Sequence, residues 1–292
     1  MKPWKIKAGS KAALICPASP VSEAEVKTAI ATVKSLGLQP VVGDYVINPD
    51  SYLAGTDAER AAELERVFKD SEIGAVFCIR GGYGSSRLLD ILDFRLFQDY
   101  PKPFLGHSDI TALNNAVFAK TGLESYSGLI LRSPIEAETM RTLEHCLNQV
   151  PLVLSHQNFL RKGVASGHLI GGNLTVFSHL LGTPYLPELS GNILLLEDVG
   201  EKPYKIDRML RHLLQAGVFA KVSGVIFGSF YQCADGVSEP EKWRDIINEY
   251  GQQLPCPVIT DFNYGHHPNT MVLPIGSMVE MSSLQGTVTF YG

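Results

Sequence analysis

The feature that most limits the fold is an alternation, through the first half of the 292-residue chain, of short apolar runs with segments of helical period. A parallel strand pair needs a crossover that travels back along the sheet, and a helix packed on the sheet face is the usual solution. Residues 12–16 (AALIC) form the first expected strand. Ser22 followed by Glu25 is a capping-box signature; Val26, Ile30 and Val33 share a helical face, Gly37 closes it, and Val41 and Val42 begin the next extended run. A second helix is expected over 57–68, with Ala61, Leu64 and Phe68 on one stripe, leading to a buried strand at 75–79 (AVFCI). A third follows Ser108, burying Ile110, Leu113, Val117 and Phe118 and ending near Gly122.

From 151 to 167 the periodicity is lost, so residues 153–166 read as a linker between a domain at 1–152 and another at 167–292. The second region holds a glycine-bounded segment (LIGGNLTVFSHLLGTP), a strand at 193–196, and a helix whose Ile206, Met209, Leu210 and Leu213 share a face before Gly217. Short strands are expected at 225–227, 257–260, 271–273, 277–281 and 287–291. The fold expected is therefore α/β: an N-terminal parallel-sheet α/β sandwich domain plus a smaller, β-rich, barrel-like C-terminal domain.

A hydrophobic content of 45% supplies a core, while a formal charge of -5 without a dense Lys/Arg run gives no help to nucleic acid or anionic membranes. A peptide or small-molecule partner is expected instead. The five cysteines are scattered without a CxxC pair, which fits reduced thiols. The apolar run before Pro17 is too short for a signal sequence and no run approaches a membrane span, so a cytoplasmic location is expected.

Chemistry concentrates in a few motifs. In FLGHSDIT (104–111) a serine stands between an apolar strand and a helix, where ligands of parallel α/β domains collect. Ser108 or Asp109 could simply cap the helix, or the turn could hold the serine hydroxyl out for attack. The G-x-S-x-G elbow is not matched, because Ile110 stands where its second glycine belongs. The loop Arg80-Gly81-Gly82-Tyr83-Gly84 lacks the order of a P-loop or dinucleotide site; it is either a turn or a source of amide donors, with Gly82 and Asp109 as an oxyanion pair. Glu197 and Asp198 sit just past the apolar strand NILLL, and Glu201 follows one turn later. His266 and His267 lie in DFNYGHHPNT, where at most one can reach a given serine. No dense ligand spacing supports a metal. Arg80 is a candidate for binding a substrate carboxylate, and Tyr83 or Trp243 could offer a stacking platform.

Together SYLAGTDAERAAELERVFKD, AVFCIRGGYGSSRLLD, FLGHSDIT, GHLIGGNLTVFSHLLGTP, LLLEDVGEKPYKIDRML and YGHHPNTMVLPIG resemble the LD-carboxypeptidase family of serine peptidases. That family includes cytoplasmic muramoyl-tetrapeptide carboxypeptidases and microcin C immunity peptidases. The resemblance implies a Ser-Glu-His triad of Ser108, Glu197 and His266 split between two domains, with Glu201 and His267 as alternates. It also implies no cofactor, a homodimer, and a murein tetrapeptide as substrate. A peptidyl-nucleotide substrate or a non-catalytic muropeptide sensor are the rival expectations. Many relatives have a histidine in the segment corresponding to 124–128, which reads ESYSG in this chain.

Overall fold

The computed structural model describes residues 6–47, 49–156, 158–234, 236 and 241–291. In chain order the first elements are β1 (Lys11–Ile15), α1 (Glu23–Ser35), β2 (Gln39–Val42), α2 (Asp57–Lys69), β3 (Ile73–Cys78), α3 (Arg95–Asp99), β4 (Phe104–Leu105), α4 (Thr111–Thr121), β5 (Ser125–Ser127) and α5 (Ala137–Asn148). Then come β6 (Leu152–Ser155), β7 (Phe159–Arg161), β8 (Val164–Asn173), α6 (Leu174–His179), β9 (Ile193–Val199), α7 (Pro203–Gln215), α8 (Val218–Lys221) and β10 (Gly224–Tyr231). The last are α9 (Lys242–Gln253), β11 (Val258–Ile259), β12 (Leu273–Ile275), β13 (Met278–Ser282) and β14 (Thr287–Tyr291).

Two sheets result. The first is six-stranded in the order β12-β5-β4-β3-β1-β2, parallel except for β12, which runs antiparallel to β5. Its strands are apolar throughout because both faces are covered. Ala13, Ile15, Val76 and Cys78 pack toward α2 and α4, and Ala12, Leu14, Ala75 and Phe77 pack toward the residues of α1 and α5. The capping boxes at Ser22–Glu25 and Thr56–Glu59 are both formed, and Gly122 closes α4 in the left-handed conformation.

The second sheet is an eight-stranded half-barrel ordered β6-β14-β13-β8-β9-β10-β11-β7, open at its two edge strands. Its centre, β8 to β11, is parallel, and antiparallel strands flank it. Of residues 153–166, expected as an aperiodic connector, 153–155, 159–161 and 164–166 are instead built into this sheet as parts of β6, β7 and β8. In β6 the inward Leu152 and Leu154 alternate with Val153 and Ser155, and four residues were too few to register as a period. The strand expected at 271–273 is shifted to Leu273–Ile275 and belongs to the first sheet, not the second.

Candidate active site

Ser108 sits at the end of β4, on a short 3₁₀ turn, Ser108–Ile110, that feeds α4. Its φ is +64°, a left-handed conformation that costs a non-glycine residue about 1–3 kcal/mol and persists only where neighbours impose it. Two neighbours do so. The Asp109 carboxylate accepts the Ser85 N–H at 2.8 Å, and the Ser85 hydroxyl donates to the Asp109 carbonyl at 2.6 Å. Gly81 lies so close that a Cβ there would be 2.7 Å from Ser108 Cβ and 2.8 Å from the Asp109 nitrogen. The glycine loop and the serine turn are therefore one unit, and glycine is required where they touch.

The capping alternative for this junction does not hold. Neither the 3₁₀ turn nor α4 has a side-chain cap, and Asp109 is committed to the glycine loop instead. Burial raises the Asp109 carboxyl above its ordinary range, while the Ser85 N–H and hydroxyl counter it. Among the described residues no acceptor pairs with the Gly82 N–H, and Gly82 lines the same cavities as Ser108.

Strand β9 runs to Val199, so Glu197 and Asp198, expected just beyond a strand, lie inside it and are buried. Glu197 Oε2 accepts from His266 Nδ1 at 2.7 Å, and Asn173 Nδ2 lies 3.4 Å from Oε1. Asp198 is saturated: it accepts from Asn173 Nδ2 at 2.9 Å, the Val199 N–H at 2.8 Å, and the Thr175 N–H and hydroxyl at 3.0 and 2.8 Å. Burial first, and then the charge of Glu197, push the Asp198 carboxyl up to about 6.

His266 reaches Glu197 because of the residue before it. Gly265 has φ +145°, and a Cβ there would meet Ser229 Oγ at 2.2 Å and Glu197 Oε2 at 3.1 Å. Neither alternate pairs with the other members of the set: Glu201 borders the larger Ser108 cavity but turns to a lysine, and His267 faces away. Glu201 lies 3.0 Å from Lys205 Nζ, and His267 faces a separate cavity with Trp243 and Asp261. Trp243 stacks on Phe230 at 5.5 Å there, away from Ser108.

His107, Asn173 and Arg132 were not singled out from sequence. His107 is buried, its ring centroid 4.5 Å from that of His266, with Nδ1 3.3 Å from Ser127 Oγ and 3.4 Å from the Tyr264 hydroxyl. Burial foremost, and the neighbouring His266, hold its pKa well below the ordinary histidine value, so it is a neutral wall behind His266. Ser127 belongs to the ESYSG segment, which places its hydroxyl beside the His107 ring. The only sequence signal for His107 was its place next to the serine; for Asn173 it was the GGN that opens α6. His107, Glu197 and His266 present ligand atoms within 4.8 Å of one another, close enough to share a small cation, but the Glu197–His266 bond already engages two of them.

Two cavities meet at Ser108. One, of about 260 Å³, is lined by Arg80, Gly82, Ser108, Arg132, Val199 and His266. The other, of about 460 Å³, is lined by Gly82, Tyr83, Ser108, Asn173, His179 and Glu201, among others. Tyr83 is half exposed and meets Tyr52 edge-on at 5.6 Å.

A serine on a strand-to-helix turn of one sheet, sharing a cavity with the imidazole of a carboxylate–imidazole pair from another, is an arrangement of the serine-peptidase class. Residues 12–128 match the LD-carboxypeptidase N-terminal domain and residues 166–281 the LD-carboxypeptidase C-terminal domain. The chain is 33% identical over 296 residues to a probable murein peptide carboxypeptidase of Bacillus subtilis, covering 98% of this chain and 93% of the relative. A muramoyltetrapeptide carboxypeptidase from Oxalobacter formigenes superposes with a TM-score of 0.84 at 29% identity, covering 96% and 98% of the two chains. An MccF-like protein from Bacillus anthracis superposes at 0.89 with 27% identity, covering 99% of each. The chain belongs to the LD-carboxypeptidase family.

Proposed function

We propose that the chain is a serine LD-carboxypeptidase that releases the C-terminal D-alanine of murein tetrapeptides in peptidoglycan recycling. The observation that carries this reading is the 2.7 Å Glu197–His266 pair, whose imidazole shares a cavity with Ser108. Glu197 holds the proton on Nδ1, which leaves Nε2 as the basic nitrogen. Ser108 Oγ attacks the carbonyl carbon before the terminal D-residue and gives its proton to His266 Nε2. The amide C–N bond then breaks, and the same proton passes to the leaving amine. Water attacks the resulting ester, again giving a proton to His266, which returns it to Ser108 Oγ. The Gly82 and Asp109 amides hold the oxyanion; one missing donor of this kind typically lowers the rate about 10²- to 10³-fold. Arg80 meets the free carboxylate of the leaving residue.

Family resemblance supports a cytoplasmic homodimer that needs no cofactor, and no helix among the described residues is long and apolar enough to cross a membrane. The test is mass spectrometry of L-Ala-D-Glu-meso-diaminopimelate-D-Ala incubated with wild type, Ser108→Ala and His266→Ala. The expected result is loss of one D-alanine with wild type alone; turnover by either variant at the wild-type rate refutes the role of the residue replaced. A peptidyl-nucleotide substrate is the second reading, favoured by the half-exposed Tyr83 ring in the larger cavity. It predicts an intact tetrapeptide and a cleaved aminoacyl-nucleotide in the same assay.

A further inference from the structure

The two cavities at Ser108 differ in a way that gives the cleft a direction. In serine hydrolysis the imidazole delivers its proton to the leaving amine, so the leaving residue lies on the side where the imidazole is. His266 lines the 260 Å³ cavity and not the 460 Å³ one. The smaller cavity is therefore the leaving-group side, and its size suits a single small residue.

Two guanidiniums, those of Arg80 and Arg132, border that cavity, and local structure brings both to its rim. The buried Leu131 donates its N–H to the Ile79 carbonyl at 3.3 Å. This bond pins the loop after β5 to the end of β3, so the next residue on each segment, Arg132 and Arg80, emerges at the same rim. Arg80 donates through Nη1 to the Pro20 carbonyl at 3.0 Å, and Arg132 is exposed. Among the described residues neither forms an ion pair within 4.0 Å. Glu25 senses both charges, but its carboxylate is engaged by the Ser22 N–H and hydroxyl. Glu25 stays negative and offsets part of this charge, but it makes no direct ion pair with either guanidinium. Their remaining N–H donors are therefore open to an incoming carboxylate, which is attracted to both.

We propose that Arg132 is a specificity residue that, with Arg80, binds the C-terminal carboxylate of the leaving amino acid and so restricts this site to exopeptidase cleavage. The inference rests on the carboxypeptidase reading above and deepens it. It also fixes the substrate's polarity: the acyl residue occupies the larger cavity beside Tyr83 and Glu201.

The test compares L-Ala-D-Glu-meso-diaminopimelate-D-Ala with the same peptide ending in D-alaninamide, measuring kcat/KM for release of D-alanine or D-alaninamide. Hydrogen bonds to a charged partner are strong enough for wild type to prefer the acid by about 10- to 100-fold. In Arg132→Ala that preference should fall about tenfold, mainly through KM for the acid, and Arg132→Lys should recover part of it. A wild type that cleaves acid and amide equally, or an Arg132→Ala variant that keeps the full preference or loses both substrates in proportion, overturns the inference while leaving the carboxypeptidase reading intact. If wild type cleaves neither peptide, that reading falls and the inference falls with it.

Discussion

Replacing Glu197 by glutamine should abolish most turnover without unfolding the protein, and the reason lies in which way the new amide must face. Asn173 Nδ2 is a donor 3.4 Å from Oε1, and it favours the glutamine carbonyl oxygen at that position. The amide nitrogen then occupies the place of Oε2, 2.7 Å from His266 Nδ1. A donor there forces Nδ1 to accept, which moves the imidazole proton to Nε2, the nitrogen that must take the proton from Ser108. A triad histidine held in the wrong tautomer loses about 10⁴ in kcat, equivalent to about 5 kcal/mol of transition-state stabilisation. KM should change little, because Glu197 does not line either cavity at Ser108. Thermal stability should hold as well, since neutralising Glu197 relieves the like-charge pressure on Asp198. The assay is initial-rate D-alanine release with a parallel melting curve. Retention of more than about 1% of wild-type kcat by a folded Glu197→Gln variant, far above what wrong-tautomer loss allows, would refute the reasoning. So would a larger loss in Glu201→Gln, which should stay within about tenfold of wild type because its partner is an exposed lysine.

Two further outcomes are expected. Gly265→Ala puts a Cβ 2.2 Å from Ser229 Oγ at a φ of +145°, so the histidine loop must shift; kcat should fall by at least about 10²-fold as the Glu197–His266 bond opens, with strain of about 1–3 kcal/mol lowering the melting temperature. An unchanged kcat would show that His266 tolerates the displacement. His107 is held neutral in the fold, so protons bind the unfolded chain in preference: its contribution to stability is intact above about pH 6.5 and is lost at up to about 1.4 kcal/mol per pH unit as the pH falls below that value. His107→Phe should flatten this acid limb in melting curves from pH 7 to 5, and identical limbs would mean the imidazole is solvated or paired.

Much of this was legible because it is local. The α1 helix announces its start in Ser22–Glu25, and an apolar run such as AVFCI has few fates other than a covered parallel strand. Ser108, Glu197 and His266 could be named because each is embedded in a motif. What stayed hidden depends on contacts between distant segments. Glu197 reads as a loop acid, since a carboxylate inside a strand makes sense only when Asn173 and His266 arrive from elsewhere to partner it. Arg132 carries no motif; its meaning comes from one backbone bond between Leu131 and Ile79. The four residues of β6 and three of β7 are too short for a period to show, and their pairing with β14 and β11 fixes them instead.

The two family halves, matched at 12–128 and 166–281, are separable along the sequence but not in space. β12 comes from the second half, follows the His266 loop and forms the outermost strand of the first sheet against β5. On the other side, Asn115 exchanges hydrogen bonds with Gly171 in both directions, and Thr111 Oγ1 accepts the Asn173 N–H at 3.0 Å. The cleft is thus laced on two sides, one stitch beside the imidazole and the other beside the helix that follows the serine. Cut between the matched halves, the first sheet would lose its outermost strand and the helix after the serine would lose its partners, so neither half is a self-contained module.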